Sequence, residues 1–225
     1  MRYRRVPAGT RAVAEIAFTN RASGDFHVDA APDDLDARRR DVFDGEWSWL
    51  RQVHGSDVVV VDHLGAGAGT EADGAATGLL GAVLCVQTAD CVPVVLVGDG
   101  VIGVAHAGWR GLVEGVIGRA VDTVVGLGGG VPRAVIGPCI RPGSYEFGEA
   151  ELEQVETAVG GPARSRTSAG LLALDMAAAT THALGAAGVS QIDDLGADTA
   201  DEAYFSHRVR GDTGRQVTAA RLVAT

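Results

Sequence analysis

Two short apolar runs flank a turn near the middle of the chain. Residues 92–97 and 101–105 are rich in aliphatic side chains, and Gly98-Asp99-Gly100 between them supplies residues typical of a tight turn. This pattern predicts an antiparallel β-hairpin. Cys91 lies eight residues before Asp99 and His106 lies seven after it, so hairpin pairing would place the two side chains nearly opposite each other.

The remaining chain contains both helical and extended patterns. Apolar residues recur with a helical period over 112–127 and stop at the glycine cluster 126–130, which predicts one helix with a glycine terminus. Further predicted segments are a loop and short helix (20–45), a buried strand (58–61), a loop (63–76), a strand (134–137), two helices (147–159 and 171–186) and a final strand (216–223). No repeat or linker divides these segments, and one domain over residues 1–225 is expected.

The composition is that of an ordinary globular protein. Hydrophobic residues make up 46% of the chain and charged residues 21%, which excludes a disordered or fibrous class. The net charge of −10 opposes binding to phosphodiester backbones, and no stripe of basic and aromatic residues offsets it. We therefore expect a small-molecule partner rather than nucleic acid, and a monomer or homodimer.

The apolar runs and the cysteine count indicate where the protein works. No segment reaches the roughly 18 uninterrupted apolar residues of a membrane span, and the N-terminus lacks the apolar stretch of a signal peptide. Three cysteines are too few and odd in number for a disulfide framework, which is typical of a reducing compartment. A cytoplasmic protein without a membrane segment is expected.

A cysteine and a histidine brought together by a hairpin are candidates for a metal site. Catalytic zinc usually takes three protein ligands from histidine, cysteine and carboxylates and leaves a fourth position open. Taken singly, each residue has a structural interpretation, as a small buried hydrophobe or a hydrogen-bonded group. The proximity of Cys91 and His106, each beside Asp90, Gly108 or Arg110, favours a site. Three histidines without such neighbours are expected to be structural or exposed: His27, His63 and His182.

Ordered motifs make the chain similar to a known family. They are Gln52-Val-His-Gly55, Thr88-Ala-Asp-Cys-Val-Pro93, His106-Ala-Gly-Trp-Arg-Gly111, Ile136-Gly-Pro-Cys-Ile140 with Tyr145-Glu146, and Phe205-Ser206 through Gly214-Arg215. Spread over nearly the whole chain, they closely resemble the family variously labelled laccase-domain, peptidoglycan editing factor or purine nucleoside phosphorylase. The chain departs from the family's usual residues at Asn20-Arg-Ala-Ser-Gly-Asp-Phe, at Asp198-Thr199 and at His207-Arg208-Val209.

The resemblance implies a fold, a metal site and an activity. The fold would be mixed α/β, with sheets layered between helices in the order α/β/β/α. His54, Cys91 and His106 would bind zinc or copper. The activity would be phosphorolysis of adenosine, inosine and guanosine to the free base and ribose 1-phosphate, and adenosine deamination is also attributed to the family.

Phosphorolysis requires groups that bind phosphate. Arginine suits this role because its planar guanidinium binds two oxygens at once. The candidates are Arg110, Arg21 and Arg208, in that order, with Asn20 next to Arg21 as a further substrate ligand. Asp90 is the candidate for moving protons if an activated water deaminates adenosine.

Other activities are weighed against phosphorolysis. Six histidines are too few for a multicopper oxidase, which needs about ten. Cys91 would equally serve as a thiolate nucleophile with His106 as its base, in a hydrolase that edits an amide of a peptidoglycan precursor. A protein that binds a metal or a nucleoside without turnover is the third interpretation.

Overall fold

The computed structural model describes all residues from 1 to 225 and contains fifteen strands and six α-helices. The strands are β1 (Arg2–Ala8), β2 (Ala12–Phe18), β3 (Trp47–Ser48), β4 (Leu50–Arg51), β5 (Val58–Val60), β6 (Thr70–Glu71), β7 (Gly74–Thr77), β8 (Val83–Thr88), β9 (Val92–Val97), β10 (Ile102–Ala107), β11 (Arg133–Ile136), β12 (Arg164–Arg166), β13 (Leu172–Leu174), β14 (Ile192–Asp194) and β15 (Gln216–Ala224). The helices are α1 (Pro32–Val42), α2 (Trp109–Glu114), α3 (Val116–Val124), α4 (Glu149–Val159), α5 (Met176–Ala186) and α6 (His207–Arg210). None of the helices has both the length and the apolar character needed to cross a bilayer.

Two large mixed sheets form the centre of the protein. The five-stranded sheet has the order β1-β2-β15-β8-β3, and the six-stranded sheet has the order β14-β11-β9-β10-β7-β5. Strands β9 and β10 are entirely buried, because helices cover one face of the six-stranded sheet and the five-stranded sheet covers its opposite face. Two small pairs, β4 with β6 and β12 with β13, lie outside these sheets.

Three apolar clusters hold the layers together. The cluster between the two sheets includes Ile16, Leu84 and Ile102. Leu35 of α1 packs on the outer face of the five-stranded sheet, whereas α3, α4 and α5 cover the outer face of the six-stranded sheet with residues such as Ile117. The mixed α/β class and the α/β/β/α layering are therefore confirmed.

Several segments have the structure that the sequence predicts. The hairpin forms as β9 and β10, and 134–137, 147–159 and 216–223 correspond to β11, α4 and β15. The loop and short helix of 20–45 are present, with α1 at 32–42. The strand at 58–61 forms as β5, but its predicted burial is wrong, because β5 is an edge strand and Val60 is 48% exposed.

The predicted helix over 112–127 is wrong in its continuity. It consists of α2 and α3, separated by Gly115, whose φ of 85° is left-handed and ends a helix at little cost in a residue without a Cβ. A wider helical turn over 125–129 follows α3. The residues that directly follow His106 therefore form a short helix of their own.

Two other boundaries also differ from the prediction. The segment 63–76 is a loop only up to residue 69, since β6 and β7 follow, and β7 pairs inside the six-stranded sheet despite its short side chains. The segment 171–186 begins as strand β13, and helix α5 starts after Asp175, whose carboxylate accepts a hydrogen bond from Ala178 N–H.

Candidate metal centre and substrate cleft

Three side chains that could bind one metal ion converge at the end of the β9–β10 hairpin. The donor atoms of His54, Cys91 and His106 all lie within 4.8 Å of one another, and His54 Nε2 is 3.8 Å from Cys91 Sγ. Ligands of a tetrahedral zinc ion are separated by about 3.3–3.8 Å, given metal–ligand distances of 2.0–2.3 Å. Two imidazoles and one thiolate therefore fit a single zinc or copper ion with small adjustments.

The register of the hairpin explains how Cys91 and His106 meet. Val92 pairs with Ala107 and Pro93 with His106, so the position opposite Cys91 is Gly108. Cys91 and His106 are therefore diagonal neighbours on one face, offset by two residues from direct opposition, which is close to the nearly opposite placement that the sequence predicts. Their convergence is nevertheless real, because the thiol and the imidazole belong to the same donor cluster.

Asp73 organises this cluster, and the sequence pattern did not indicate it. Its carboxylate is fully buried and lies 2.8 Å from His106 Nδ1. The same carboxylate accepts hydrogen bonds from the N–H groups of Val53, His54 and Gly55 at 2.8–3.1 Å. A carboxylate that binds one ring nitrogen of a histidine fixes its tautomer and directs the other nitrogen to a metal.

His54 owes its position to this carboxylate. It lies in a turn before β5, has a left-handed φ of 61° and is exposed to solvent. Since the Asp73 carboxylate binds three consecutive N–H groups of the turn, it holds the backbone that carries His54 beside the buried His106. Asp73 thus ties two of the three candidate ligands to one another.

Charge coupling favours the ionised form of the cysteine. Burial alone would raise the pKa of Cys91, but His106 and His54 lower it to about 6. Burial opposes the charged form of His106, whereas Cys91 and Asp73 raise its pKa to about 9. Without a metal, both pKa shifts favour a thiolate–imidazolium pair. A thiolate is the form that binds metals and also the form that acts as a nucleophile.

The three cysteines are expected to differ sharply in reactivity. Cys85 and Cys139 are 2% and 0% exposed, and burial raises the pKa of each thiol to about 12. Cys91 is only half-buried and lines an open cleft. We predict that iodoacetamide alkylates Cys91 alone in metal-free folded protein, and that bound zinc protects it.

Intact mass and peptide mapping would measure this, with Cys91→Ser as the control that should take up no label. Rapid labelling of Cys85 or Cys139 in the folded protein, or equal labelling with and without zinc, would contradict the prediction.

The donor cluster opens into a cleft of about 430 Å³. Seventeen residues line it, including Leu50, Thr88, Ala89, Trp109, Tyr145, His207 and the candidate ligands. Three arginines also line it, namely Arg110, Arg208 and Arg215, and none of them pairs with a carboxylate. The Arg110 guanidinium lies 4.3 Å from the Trp109 ring centroid, and Arg208 lies 4.3 Å from that of Tyr145. The cleft is therefore cationic in a chain of net charge −10.

Asp90 lines the cleft, but its carboxylate is hydrogen-bonded to other residues of the protein. Its φ of 97° is left-handed, and its carboxylate accepts hydrogen bonds from Thr199 Oγ1 and from Arg208 N–H, each at 2.7 Å. Both carboxylate oxygens are thus occupied by protein donors, which suits a residue that positions Arg208 better than one that moves protons.

Two sequence-predicted substrate ligands lie elsewhere. Arg21 pairs with Asp212, donates to the carbonyls of Glu202 and Tyr204, and is not part of the cleft lining. Asn20 accepts a hydrogen bond from Ser23 Oγ and is likewise outside the lining. Conversely, His27, expected to be structural or exposed, lines the cleft, as do Gln87 and Arg215. His27 and Gln87 carry no spacing signal that could have identified them.

The chain is similar to known proteins along most of its length. A sequence model of the family described as multi-copper polyphenol oxidoreductase laccase matches residues 18–223. The chain belongs to this family. Its curated relatives carry a different name, since a purine nucleoside phosphorylase of Mycobacterium tuberculosis is 39% identical over 173 residues, covering 74% of this chain and 68% of the relative. One from Streptomyces griseus is 41% identical over 174 residues, covering 74% and 70%.

Solved structures of the family share the fold. YlmD from Geobacillus stearothermophilus superimposes with a TM-score of 0.80 at 28% identity, covering 96% of this chain and 93% of that one. The Neisseria meningitidis protein NMB0706 gives 0.79 at 24% identity, covering 99% of both chains. The family's descriptive name implies several copper ions, yet this chain has one three-donor cluster, which suits one ion.

Proposed function

We propose that this protein is a metal-dependent purine nucleoside phosphorylase that acts on adenosine, inosine or guanosine. The observation that carries the proposal is one cleft that holds both a three-donor metal cluster and three arginines without carboxylate partners. The cluster suits a charge-stabilising ion, and the arginines suit an oxyanion such as phosphate. The names of the curated relatives support the same activity.

The reaction joins a phosphate oxygen to C1′ of the ribose while the C1′–N9 bond breaks. The electron pair of that bond leaves with the base, which takes up the proton that the phosphate loses. Arg110 and Arg208 would bind and orient the phosphate, and Asp90 would hold the Arg208 backbone in place. A zinc or copper ion on His54, Cys91 and His106 would supply positive charge that stabilises the developing negative charge.

Phosphate dependence is the decisive test of this proposal. Zinc-loaded protein with inosine and phosphate is expected to release hypoxanthine and ribose 1-phosphate in equal amounts, measured by chromatography. Release of base without phosphate, or no release from any of the three nucleosides, would exclude a phosphorylase. His54→Ala should lose both zinc stoichiometry and activity, whereas the matched variant His63→Ala, at a side chain that is 77% exposed, should keep both. Conversion of adenosine to inosine in the same assay would show that the protein also has adenosine deaminase activity.

A Cys–His hydrolase is the second candidate, because Cys91 and His106 lie in one donor cluster and their pKa shifts favour a thiolate beside an imidazolium. The two candidates make opposite predictions about metal removal. Activity that survives a chelator but is lost on alkylation of Cys91 would favour the hydrolase. Activity lost on chelation and restored by zinc would favour the phosphorylase.

A further inference from the structure

The cleft contains a glutamine whose hydrogen-bonding capacity is only half used by the protein. Gln87, near the end of β8, lines the cleft and is 9% exposed. Its Oε1 accepts a hydrogen bond from Val28 N–H at 3.1 Å. Its Nε2 donates to no group of the protein, and it is not sealed off from solvent, since the enclosed unpartnered side-chain atoms are Ser48 Oγ and Thr88 Oγ1.

The position of this amide is fixed by its neighbours. Gln52 Nε2 donates to the Gln87 carbonyl, and Gln52 Oε1 accepts from Gln87 N–H, both at 2.7 Å. The backbone of Gln87 is thus held on both sides, and Val28 holds the side-chain oxygen. Because only the amide oxygen can accept from Val28 N–H, the nitrogen is the atom left for a ligand. Gln87 therefore presents an oriented donor.

The cleft has two chemically different walls. On one wall, guanidinium groups lie on the rings of Trp109 and Tyr145, so this wall is cationic and suits phosphate. Gln87 is itself neutral and lies with the aliphatic residues Leu50 and Val28, and His27 and Arg215 line the same part of the cleft. The aliphatic side chains suit the faces of a neutral heterocycle, whose polar edge would reach the Gln87 amide.

We propose that Gln87 Nε2 donates a hydrogen bond to the 6-oxo group of the purine, so that Gln87 favours inosine and guanosine over adenosine, with Gln52 as its positioning residue. This inference rests on the proposed function. A glutamine that reads adenine uses its oxygen to accept from the 6-amino group and its nitrogen to donate. Here Val28 N–H occupies the oxygen, and a 6-amino group would face the Gln87 donor with another donor.

Binding of nucleosides to the zinc-loaded protein, measured by calorimetry without phosphate, tests this assignment. The wild type should bind inosine more tightly than adenosine. Gln87→Leu should weaken inosine binding about tenfold, the cost of one neutral hydrogen bond, and adenosine binding by no more than about twofold. Gln87→Glu keeps an acceptor for Val28 N–H, adds one for the 6-amino group, and should reverse the preference.

Two further variants complete the experiment. Gln52→Met, which removes both hydrogen bonds to the Gln87 backbone, should reduce the ratio of inosine to adenosine affinity, whereas a purely structural role would lower both affinities together. Gln191→Leu, at an exposed position outside the cleft, should change neither affinity.

Equal losses of inosine and adenosine binding in Gln87→Leu, or a wild type that does not discriminate, would overturn the inference. Because the readout is binding, a protein that binds inosine selectively but does not phosphorolyse it would refute the proposed reaction while leaving the Gln87 assignment supported. Failure of every nucleoside to bind would overturn both.

Discussion

Replacing Asp73 by asparagine is expected to lower zinc affinity about 10- to 100-fold and to destabilise the fold by at least about 2 kcal/mol. The carboxylate accepts from four N–H groups, two on each oxygen: His54 N–H and His106 Nδ1 on Oδ1, Val53 N–H and Gly55 N–H on Oδ2. An asparagine has one acceptor oxygen, and its NH₂ group would face two donors whichever way the amide is turned. Two donors, at least one of them a part-buried backbone N–H group, would then lose their partner.

The chain offers a matched control for this substitution. Asp62 and His63 make a hydrogen-bonded pair with the same 2.8 Å separation, but their side chains are 78% and 77% exposed, whereas Asp73 and His106 are 0% and 4% exposed. Asp62→Asn should change stability by less than about 0.5 kcal/mol and leave zinc affinity unchanged. Urea denaturation and competitive zinc titration of both variants would measure the effects. Similar results for the two variants would refute the assigned role of Asp73.

At acid pH, the lowered pKa of Asp73 should make metal-free stability fall as the pH falls. Burial would raise the pKa of Asp73, but the hydrogen bonds from His106 and from the backbone hold it below its ordinary value. A group whose pKa is lower in the folded state stabilises the fold above its unfolded pKa and loses that contribution as the pH falls. Metal-free wild type should therefore lose stability below about pH 4, while Asp73→Asn should lack that component.

The sequence predicted the part of the site that depends on local pairing. Cys91 and His106 lie at the base of a hairpin with a short turn, so the chain pattern alone brings them together. Asp73 contacts His106 although it lies 33 residues earlier in the sequence, and no periodicity relates β7 to the turn that carries His54. His54 could be proposed only through resemblance to the family, and Asp73 was not proposed.

The fold was predictable to a similar extent. Segments with strong local signals, such as β9, β10 and α4, were identified correctly. The helix break at Gly115 was missed because apolar periodicity continues across it, although the backbone there is left-handed. The sequence does not indicate β7, because Gly74-Ala-Ala-Thr77 has little strand propensity, and burial between β10 and β5 overrides that preference.

Replacing Gly108 by alanine is expected to damage the metal site while leaving the fold largely intact. Gly108 has an ordinary φ of −74°, so alanine adopts this backbone without strain. A Cβ there would lie 2.6 Å from His54 Cδ2 and 3.3 Å from Cys91 Sγ. His54 is exposed and can swing away, but its Nε2 would then leave the donor cluster. We expect zinc affinity to fall at least about tenfold and the phosphorolysis rate about 100-fold.

A second glycine-to-alanine change separates this effect from helix propensity. Gly185 lies inside α5, is exposed, and a Cβ there would contact nothing within 4 Å. Gly185→Ala should raise stability by roughly 0.5–1 kcal/mol and leave zinc binding unchanged. Thermal unfolding with and without zinc would compare the variants. A metal that binds only the folded state stabilises it. Gly108→Ala should therefore lose most of the zinc-dependent increase in Tm. Without zinc, its Tm should be close to that of the metal-free wild type. A full zinc-dependent increase in Gly108→Ala would show that His54 is not a metal ligand.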